Sequence, residues 1–151
     1  MAYVDARLRS RNSVIVIARP VLLSELKDRW LPRYHNRFIG LDASKALSSF
    51  MVHGKPSGER FIQSIGCFVL EAASQTRHVY VVGELVAMLW EEGKCEAALE
   101  VEHLWNELGA HFPLTVLCAF RADAFSSSQQ SGKQQIFGAH SDVVSLQVSG
   151  G

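Results

Sequence analysis

The fold of this chain is decided by residues 78–93, HVYVVGELVAMLWEEG, together with residues 114–120, LTVLCAF. The first stretch indicates a short apolar strand, a sharp turn at Gly83-Glu84 and a helix that ends near Gly93. The second stretch indicates another apolar strand. Strands that are apolar throughout are typical of parallel sheets, because both of their faces are covered. These residues therefore predict consecutive strand–helix–strand units.

The rest of the chain repeats this alternation. Further strands are predicted at Ser13–Ala18, Phe38–Leu41 and Val143–Val148. Helical spacing of apolar residues predicts helices over residues 20–31, 43–52, 58–74, 85–93 and 95–108, with Pro20 in the first turn of the first helix and Pro32 at its end. We therefore expect an α/β fold with a mainly parallel sheet of about four or five strands, and helices on both faces in a three-layer arrangement.

The length of 151 residues suits one domain with a proper core. We place that domain at residues 13–148. Residues 1–12 carry Arg7, Arg9 and Arg11 and are interpreted as a loose lead-in, and residues 149–151 as a short tail.

Charge and composition argue against several classes of protein. Basic and acidic residues are equal in number, 15 of each, which disfavours a nucleic-acid partner because phosphate contacts need a basic surface. No apolar run approaches the roughly 20 residues that span a bilayer, and the charged N-terminus does not resemble a secretory signal. The three cysteines form no CxxC pair, so we expect reduced thiols and a cytoplasmic location.

Glu84 is the leading candidate for a functional residue. It follows a predicted strand at the end where open α/β sheets bind their ligands, and Gly83 lets the backbone approach a ligand closely. A carboxylate there can bind a metal, act as a base or accept a hydrogen bond, or it is simply an acid favoured by the dipole of the next helix. Asp42 holds the same kind of position after the second strand, where helix capping is the plainer interpretation.

Polar groups in the second half of the chain are further candidates. Glu102 and Asn106 lie four residues apart on a helix beside Trp105, where they line a pocket or satisfy neighbouring backbone groups. Cys118 ends a strand and is a small hydrophobe unless a partner such as His140 joins it in redox or metal sensing. The six histidines show no metal-type spacing, so we predict no metal site and no cofactor.

Known catalytic and nucleotide motifs are missing from the sequence. Gly54-Lys55-Pro56-Ser57 has only part of a phosphate loop, because the pattern GxxxxGK[ST] needs a glycine where Ser49 stands and a hydroxyl residue where Pro56 stands. No GxSxG elbow or Ser/His/Asp order is visible.

Four segments together resemble a known family. They are GELV at 83–86, LWEEG at 89–93, EHLWNEL at 102–108 and LCAF at 117–120. In this combination the chain resembles the MEDS domain, the sensory domain of methanogen and methylotroph regulators that include the repressor of dichloromethane dehalogenase. Asp42-Ala43, Phe50-Met51 and Phe61 also fit the family's upstream pattern, and the resemblance runs from about Ser13 to His140.

The resemblance implies a degenerate RecA/KaiC-like α/β domain that has lost its nucleotide-binding loop. It also implies a bacterial or archaeal signal-transduction module, often joined to a histidine kinase or a DNA-binding domain, that senses small organic molecules such as hydrocarbon derivatives. The positions that match the family's recurrent polar and aromatic residues are Glu84, Trp90, Glu102, Trp105, Asn106, Cys118 and His140.

The sequence departs from the family pattern at its beginning. Members usually carry a further strand and helix ahead of the run that matches Val14–Ala18, and we interpret both as missing here. Lys94 stands where asparagine is common, and Phe120 where tyrosine is common. A missing strand would expose a sheet edge, so we expect a homo-oligomer, most simply a dimer.

Three functions remain in competition. The first is a non-catalytic sensory module that binds a small organic ligand or a signalling partner protein at the carboxyl edge of its sheet. The second is a degenerate nucleotide-binding, ATPase-like domain, which rests on fold analogy alone. The third is a small enzyme that uses Glu84 as an acid or base.

Overall fold

Four parallel strands form the main sheet of the computed structural model, which describes residues 2–120. The strands of this sheet are β1 (Ser13–Ala18), β2 (Phe38–Asp42), β5 (Val79–Gly83) and β6 (Leu114–Cys118), arranged in the order β2-β1-β5-β6. A separate antiparallel pair consists of β3 (Met51–Val52) and β4 (Lys55–Pro56). The predicted parallel α/β sheet is confirmed. The predicted strand at residues 143–148 lies outside the described residues.

The helices are α1 (Ala2–Arg9), α2 (Pro20–Tyr34), α3 (Ala43–Phe50), α4 (Gly58–Phe61), α5 (Cys67–Gln75), α6 (Leu85–Glu91) and α7 (Cys95–Gly109), with a π-helical turn (Ile62–Gly66) joining α4 to α5. No helix in the described part of the chain is long and apolar enough to cross a membrane.

The direction of chain winding places the helices in two layers. The chain first moves from β1 outward to β2, and then crosses back over β1 to β5 and on to β6. Because crossovers between parallel strands are right-handed, a crossover that runs the other way along the sheet places its helices on the opposite face. Accordingly α2 packs with one face of the sheet, and helices α3 to α7 pack with the other.

Strand β1 lies at the centre and shows both faces of the sheet clearly. All six of its residues are buried. Val14 and Val16 pack in the cluster that includes α2, whereas Ile15 and Ile17 pack in the cluster that includes α3 to α7. This alternation follows from the two-residue period of a strand. The predicted three-layer arrangement is therefore confirmed.

Residues 2–9 form helix α1, so the prediction of a loose lead-in was wrong. Val4 and Leu8, one helical turn apart, are buried against the same face of the sheet as α2. Within residues 2–120 that face receives one later helix, α2, and α1 covers part of the apolar surface that α2 leaves open. A helix therefore precedes β1 in the described part of the chain.

Helix α2 continues through Pro32 to Tyr34, although we expected Pro32 to end it. Pro32 is exposed and lies in the last turn of the helix. The carbonyl that loses its hydrogen bond there belongs to Asp28, which is also exposed and can bond to water. The buried side of the same helix ends at Trp30, which packs against Phe38 of β2.

The π-helical turn explains a second difference from the sequence prediction. A regular helix would place Ile62 and Phe68 on its apolar side with Phe61 and Val69. The wider turn changes the phase of the helix, and Ile62 is 48% exposed and Phe68 37% exposed, while Phe61 and Val69 are fully buried. The apolar side predicted for this helix is therefore only partly buried.

Helix α3 ends at Phe50, two residues earlier than predicted, because the next residues form a tight hairpin. Met51 pairs with Pro56, and Val52 pairs with Lys55. The two turn residues, His53 and Gly54, both have positive φ, at 50° and 77°. Such a pair is typical of a two-residue type I′ hairpin turn.

Candidate functional site

The carboxyl ends of the four parallel strands form one edge of the sheet. In register, Asp42 lies beside Ala18, Ile17 beside Gly83, and Gly83 beside Cys118. The chain leaves β1 toward one side and reaches β5 on the other, so the switch point of the topology lies between β1 and β5. Open α/β sheets bind their ligands in the crevice at such a point.

Glu84 lies at this switch point and joins the ends of the two central strands. Its backbone N–H donates to the carbonyl of Ile17 over 2.9 Å. Its carboxylate oxygen Oε2 accepts a hydrogen bond of 2.7 Å from the backbone N–H of Arg19. The side chain is half-buried, and its second oxygen accepts no hydrogen bond from the described residues. Glu84 therefore has both a structural contact and an acceptor left for a ligand.

Arg19 and Glu91 extend the site and were missed by the sequence reasoning. The Nη2 atom of Arg19 lies 2.5 Å from Oε2 of Glu91, and both side chains are about one-third exposed, at 33% and 29%. Arg19 follows β1 directly, so the rule that singled out Glu84 after β5 also applies to Arg19. Its pairing with Glu91 is not visible in the sequence, since 72 positions separate the two residues.

Neither the backbone conformation nor the packing at position 83 requires a glycine. Its φ is not in the positive range, and a Cβ atom added there would come no closer than 3.7 Å to Ile17 Cβ, an ordinary contact. Gly40 differs, because an added Cβ would lie 2.9 Å from Leu23 Cδ1 and from Lys27 Cε. Gly83 is thus a position where alanine fits the folded protein.

Asp42 caps helix α3, as its plainer interpretation predicts. Its Oδ1 accepts a hydrogen bond of 3.1 Å from the backbone N–H of Lys45. It shares the carboxyl edge with Glu84, but strand β1 separates them. Two strand spacings amount to roughly 10 Å, so the two carboxylates do not act on one atom together.

Cys118 and Glu102 are brought into direct contact. The thiol of Cys118, at the end of β6, donates to Oε1 of Glu102 over 2.9 Å, and Glu102 on α7 is 1% exposed. Burial first, and then the charge and the hydrogen bond of Glu102, raise the pKa of Cys118 well above its usual range. At neutral pH Cys118 is therefore a protonated hydrogen-bond donor and not a reactive thiolate.

The remaining predicted residues do not join this edge as a group. Trp105 belongs to the core, where its ring centre lies 5.0 Å from that of Phe61. Trp90 is buried in the same cluster. Asn106 is exposed, although Glu102 one turn before it is buried. His140 lies outside the described residues.

Metal binding has no visible support within residues 2–120. No group of three or more His, Cys, Asp or Glu side chains in that part of the chain could hold a metal ion. The pair formed by Glu102 and Cys118 supplies only two such groups.

A known family matches most of the chain. The model of the MEDS family, described as the methanogen/methylotroph, DcmR sensory domain, matches residues 1–136. The match includes α1, in agreement with the burial of that helix. No curated protein and no solved structure matched the chain.

Proposed function

The chain belongs to the MEDS family of sensory domains, and we propose that it is a non-catalytic sensory module with its ligand at the carboxyl edge of the sheet. The observation that carries the proposal is the position of Glu84. Its carboxylate spans the crevice between β1 and β5 at the topological switch point and keeps one oxygen for a ligand.

The charges around the crevice indicate what kind of ligand fits. Glu84, Glu91 and Asp42 are acidic, and the cation among them, Arg19, already pairs with Glu91. Like charges repel, so an anionic ligand is disfavoured. The unused oxygen of Glu84 calls for an N–H or O–H donor. We therefore expect a small organic molecule, neutral or cationic, that carries a hydroxyl or amino group on an apolar body.

A nucleotide ligand fits this site poorly. A single residue, Arg19, connects β1 to α2, which leaves no loop to wrap around phosphates. The carboxylate of Glu84 lies at the N-terminus of α2, where a phosphate would otherwise benefit from the helix dipole. Gly54 and Lys55 belong to the β3–β4 hairpin and not to a strand–loop–helix unit. These features favour the sensory function over the ATPase-like alternative.

The enzyme alternative also receives little support. The carboxylate of Glu84 bonds to a backbone N–H, and no described histidine, serine or cysteine side chain is bonded to it. General-base catalysis requires the base to reach the proton that it removes, and nucleophilic catalysis requires a nucleophile beside its base. Turnover of a substrate that is abolished by Glu84→Gln in a folded protein would establish this alternative instead.

The proposed module needs a signalling partner and is expected to associate with itself. A sensory domain acts on an output, so we propose a signalling partner protein, such as a histidine kinase, in the cytoplasm. Within the described residues β2 and β6 are the edges of the sheet, and unpaired edges favour association. We therefore propose a homo-oligomer. Light scattering that gives the monomer mass at all concentrations would contradict it.

A thermal-shift screen with matched variants tests the proposed ligand site. The panel holds short-chain alcohols, amines and halogenated hydrocarbons, ATP with Mg²⁺, and divalent metals. A ligand that binds only the folded protein raises its melting temperature. We expect a shift from one organic class that is lost in Gly83→Ala, where the new methyl group fills the approach to the backbone, and weakened in Glu84→Gln.

The outcome of the screen separates the candidate functions. A shift from ATP with Mg²⁺ would support the nucleotide alternative. A shift that persists in both variants would move the site away from the crevice. If no compound shifts the wild-type protein, the proposed small-molecule site is wrong, and binding of a partner protein becomes the better account.

A further inference from the structure

Arg7 on α1 carries a charge that no described residue neutralises. Its Cζ atom lies 4.7 Å from the ring centre of Tyr3 and 4.8 Å from that of Tyr80. The two rings are inclined at 79°, so they form a corner that holds the guanidinium. Its Nε is buried without a hydrogen-bond partner, whereas Arg9 pairs with Asp5. Arg7 is therefore a positioned cation without a counter-ion in residues 2–120.

Two further side chains complete the surroundings of Arg7. The imidazole of His78 lies 4.6 Å from the ring centre of Tyr80, and its Nε2 is 2.7 Å from Oγ1 of Thr115. Tyr80 and Thr115 are partners in the register of β5 and β6. We define Tyr3, Arg7, His78, Tyr80 and Thr115 as the Arg7 cluster. All five are half-buried, so the cluster reaches the surface.

The charges at the amino edge of the sheet, where the Arg7 cluster lies, are opposite in sign to the acidic charges around Glu84. Arg11, Arg37 and Arg77 each lie one or two residues ahead of a strand, at the amino edge of the sheet. The carboxyl edge carries Asp42 and Glu84 instead. A concentration of one sign of charge attracts ligands of the other sign. The amino edge therefore favours an anion, which the carboxyl edge disfavours.

We propose that the Arg7 cluster is a second binding site, specific for the carboxylate group of a small organic acid. A guanidinium presents several N–H donors in a fork that matches the two oxygens of a carboxylate. The corner formed by Tyr3 and Tyr80 already holds Arg7 in place, so little side-chain freedom is lost on binding. The same rings offer apolar surface to the carbon body of the acid. This site is independent of the sensory site proposed at Glu84.

His78 provides a built-in reporter of binding. Burial and the neighbouring charge of Arg7 lower the pKa of His78. A carboxylate bound to Arg7 offsets that positive charge and therefore raises the pKa of His78. The groups that face His78 in this cluster are Arg7, Tyr80 and Thr115, and Arg7 is the charged one.

The test is an NMR titration of the six histidines with sodium benzoate, at constant ionic strength set by chloride. Benzamide, which has the same shape without the charge, is the matched control ligand. We expect benzoate to raise the pKa of His78, benzamide to leave it unchanged, and His78→Asn to identify the resonance. Addition of acetate shows whether the aromatic body contributes to binding.

Variants separate binding from a purely structural role of Arg7. Arg7→Met should raise the pKa of His78 without any ligand and abolish the response to benzoate. Arg7→Lys keeps the charge but loses the fork, and should raise the half-saturating concentration roughly tenfold. Arg60→Met removes an exposed arginine on α4, which belongs neither to the cluster nor to the arginines named at the amino edge, and should bind as the wild type does.

Three results would overturn the proposal. The first is a pKa of His78 that is unchanged by benzoate and acetate in the wild type. The second is an equal response in Arg7→Lys, which shows that the fork is not used. The third is an equal response to benzamide, which shows that the charge is not recognised. Circular dichroism of each variant shows whether it is folded. If Arg7→Met does not fold, Arg7→Lys still tests the proposal.

Discussion

The carboxylate of Glu84, at the end of β5, accepts a hydrogen bond of 2.7 Å from the backbone N–H of Arg19, at the end of β1. This bond joins the ends of the two central strands. It joins residues 65 positions apart, so it forms only when β1 and β5 lie side by side. The same carboxylate is the group that we propose as the ligand's acceptor, so its structural and functional effects must be separated by experiment.

Replacement of Glu84 by alanine should destabilise the protein. The N–H of Arg19 then loses its partner in a partly buried position, which costs about 1–3 kcal/mol. Glu84→Gln keeps an acceptor oxygen and should cost less. The measurement is the free energy of unfolding from denaturant titration. Glu92→Ala, which removes only an exposed ion pair with Lys94, is the control and should change stability by less than about 0.5 kcal/mol. Equal stability of Glu84→Ala and wild type would show that the bond is not formed in solution.

Because of the contact between Cys118 and Glu102, the free energy of unfolding should depend on pH in the range above the usual pKa of a thiol. The pKa of Cys118 is raised in the folded protein, so the folded state keeps this proton while the unfolded state loses it at about pH 9.0. The contribution is fully present below that pH and is lost as pH rises toward the folded pKa. Denaturant unfolding at several pH values between neutral and alkaline measures this loss, which Cys118→Ser should reduce.

The same contact controls the reactivity of Cys118. Glu102→Gln removes the negative charge beside the thiol, which should lower the pKa of Cys118 and speed its alkylation. Mass spectrometry of the labelled cysteines follows the rate, with the exposed Cys67 as the internal reference. If Glu102→Gln left the rate for Cys118 unchanged relative to Cys67, the charge of Glu102 would not act on the thiol.

The β3–β4 hairpin should gain stability from a residue better suited to its turn. His53 has a φ of 50°, which asparagine adopts more readily, and an Asn-Gly pair is the preferred sequence for a type I′ turn. His53→Asn should therefore raise the free energy of unfolding by about 0.5 kcal/mol. Gly54→Ala, with φ at 77°, should have the opposite effect. A loss of stability in His53→Asn would mean that the imidazole makes a contact that outweighs the turn preference.

The strands could be predicted from the sequence because their signals are local. The run Ser13–Ala18 is almost wholly β-branched, and Asp42 and Glu84 could be placed at the carboxyl edge once the strands were known. Asp42 was also recognisable as a helix cap from the helix that follows it. For these features, position along the chain is enough.

The features missed by sequence reasoning depend on tertiary contacts. Helix α1 has only two buried residues, Val4 and Leu8, and its stability comes from a sheet face that α2 covers only in part within residues 2–120. The π-helical turn leaves no pattern in the sequence. The partners of Arg19 and of Cys118 lie 72 and 16 positions away, and only the folded sheet brings them together.

A map of amide chemical shifts in the ¹⁵N-labelled protein, recorded while the organic compound with the largest thermal shift is added, locates the ligand. We expect the largest changes at Ala18, Arg19, Gly83 and Glu84. The amide of Arg19 should shift because its hydrogen-bond acceptor, the carboxylate of Glu84, is shared with the ligand. The compound should cause no amide shift changes in Gly83→Ala. Changes centred elsewhere, with Arg19 and Glu84 unaffected, would contradict a ligand site in the crevice between β1 and β5.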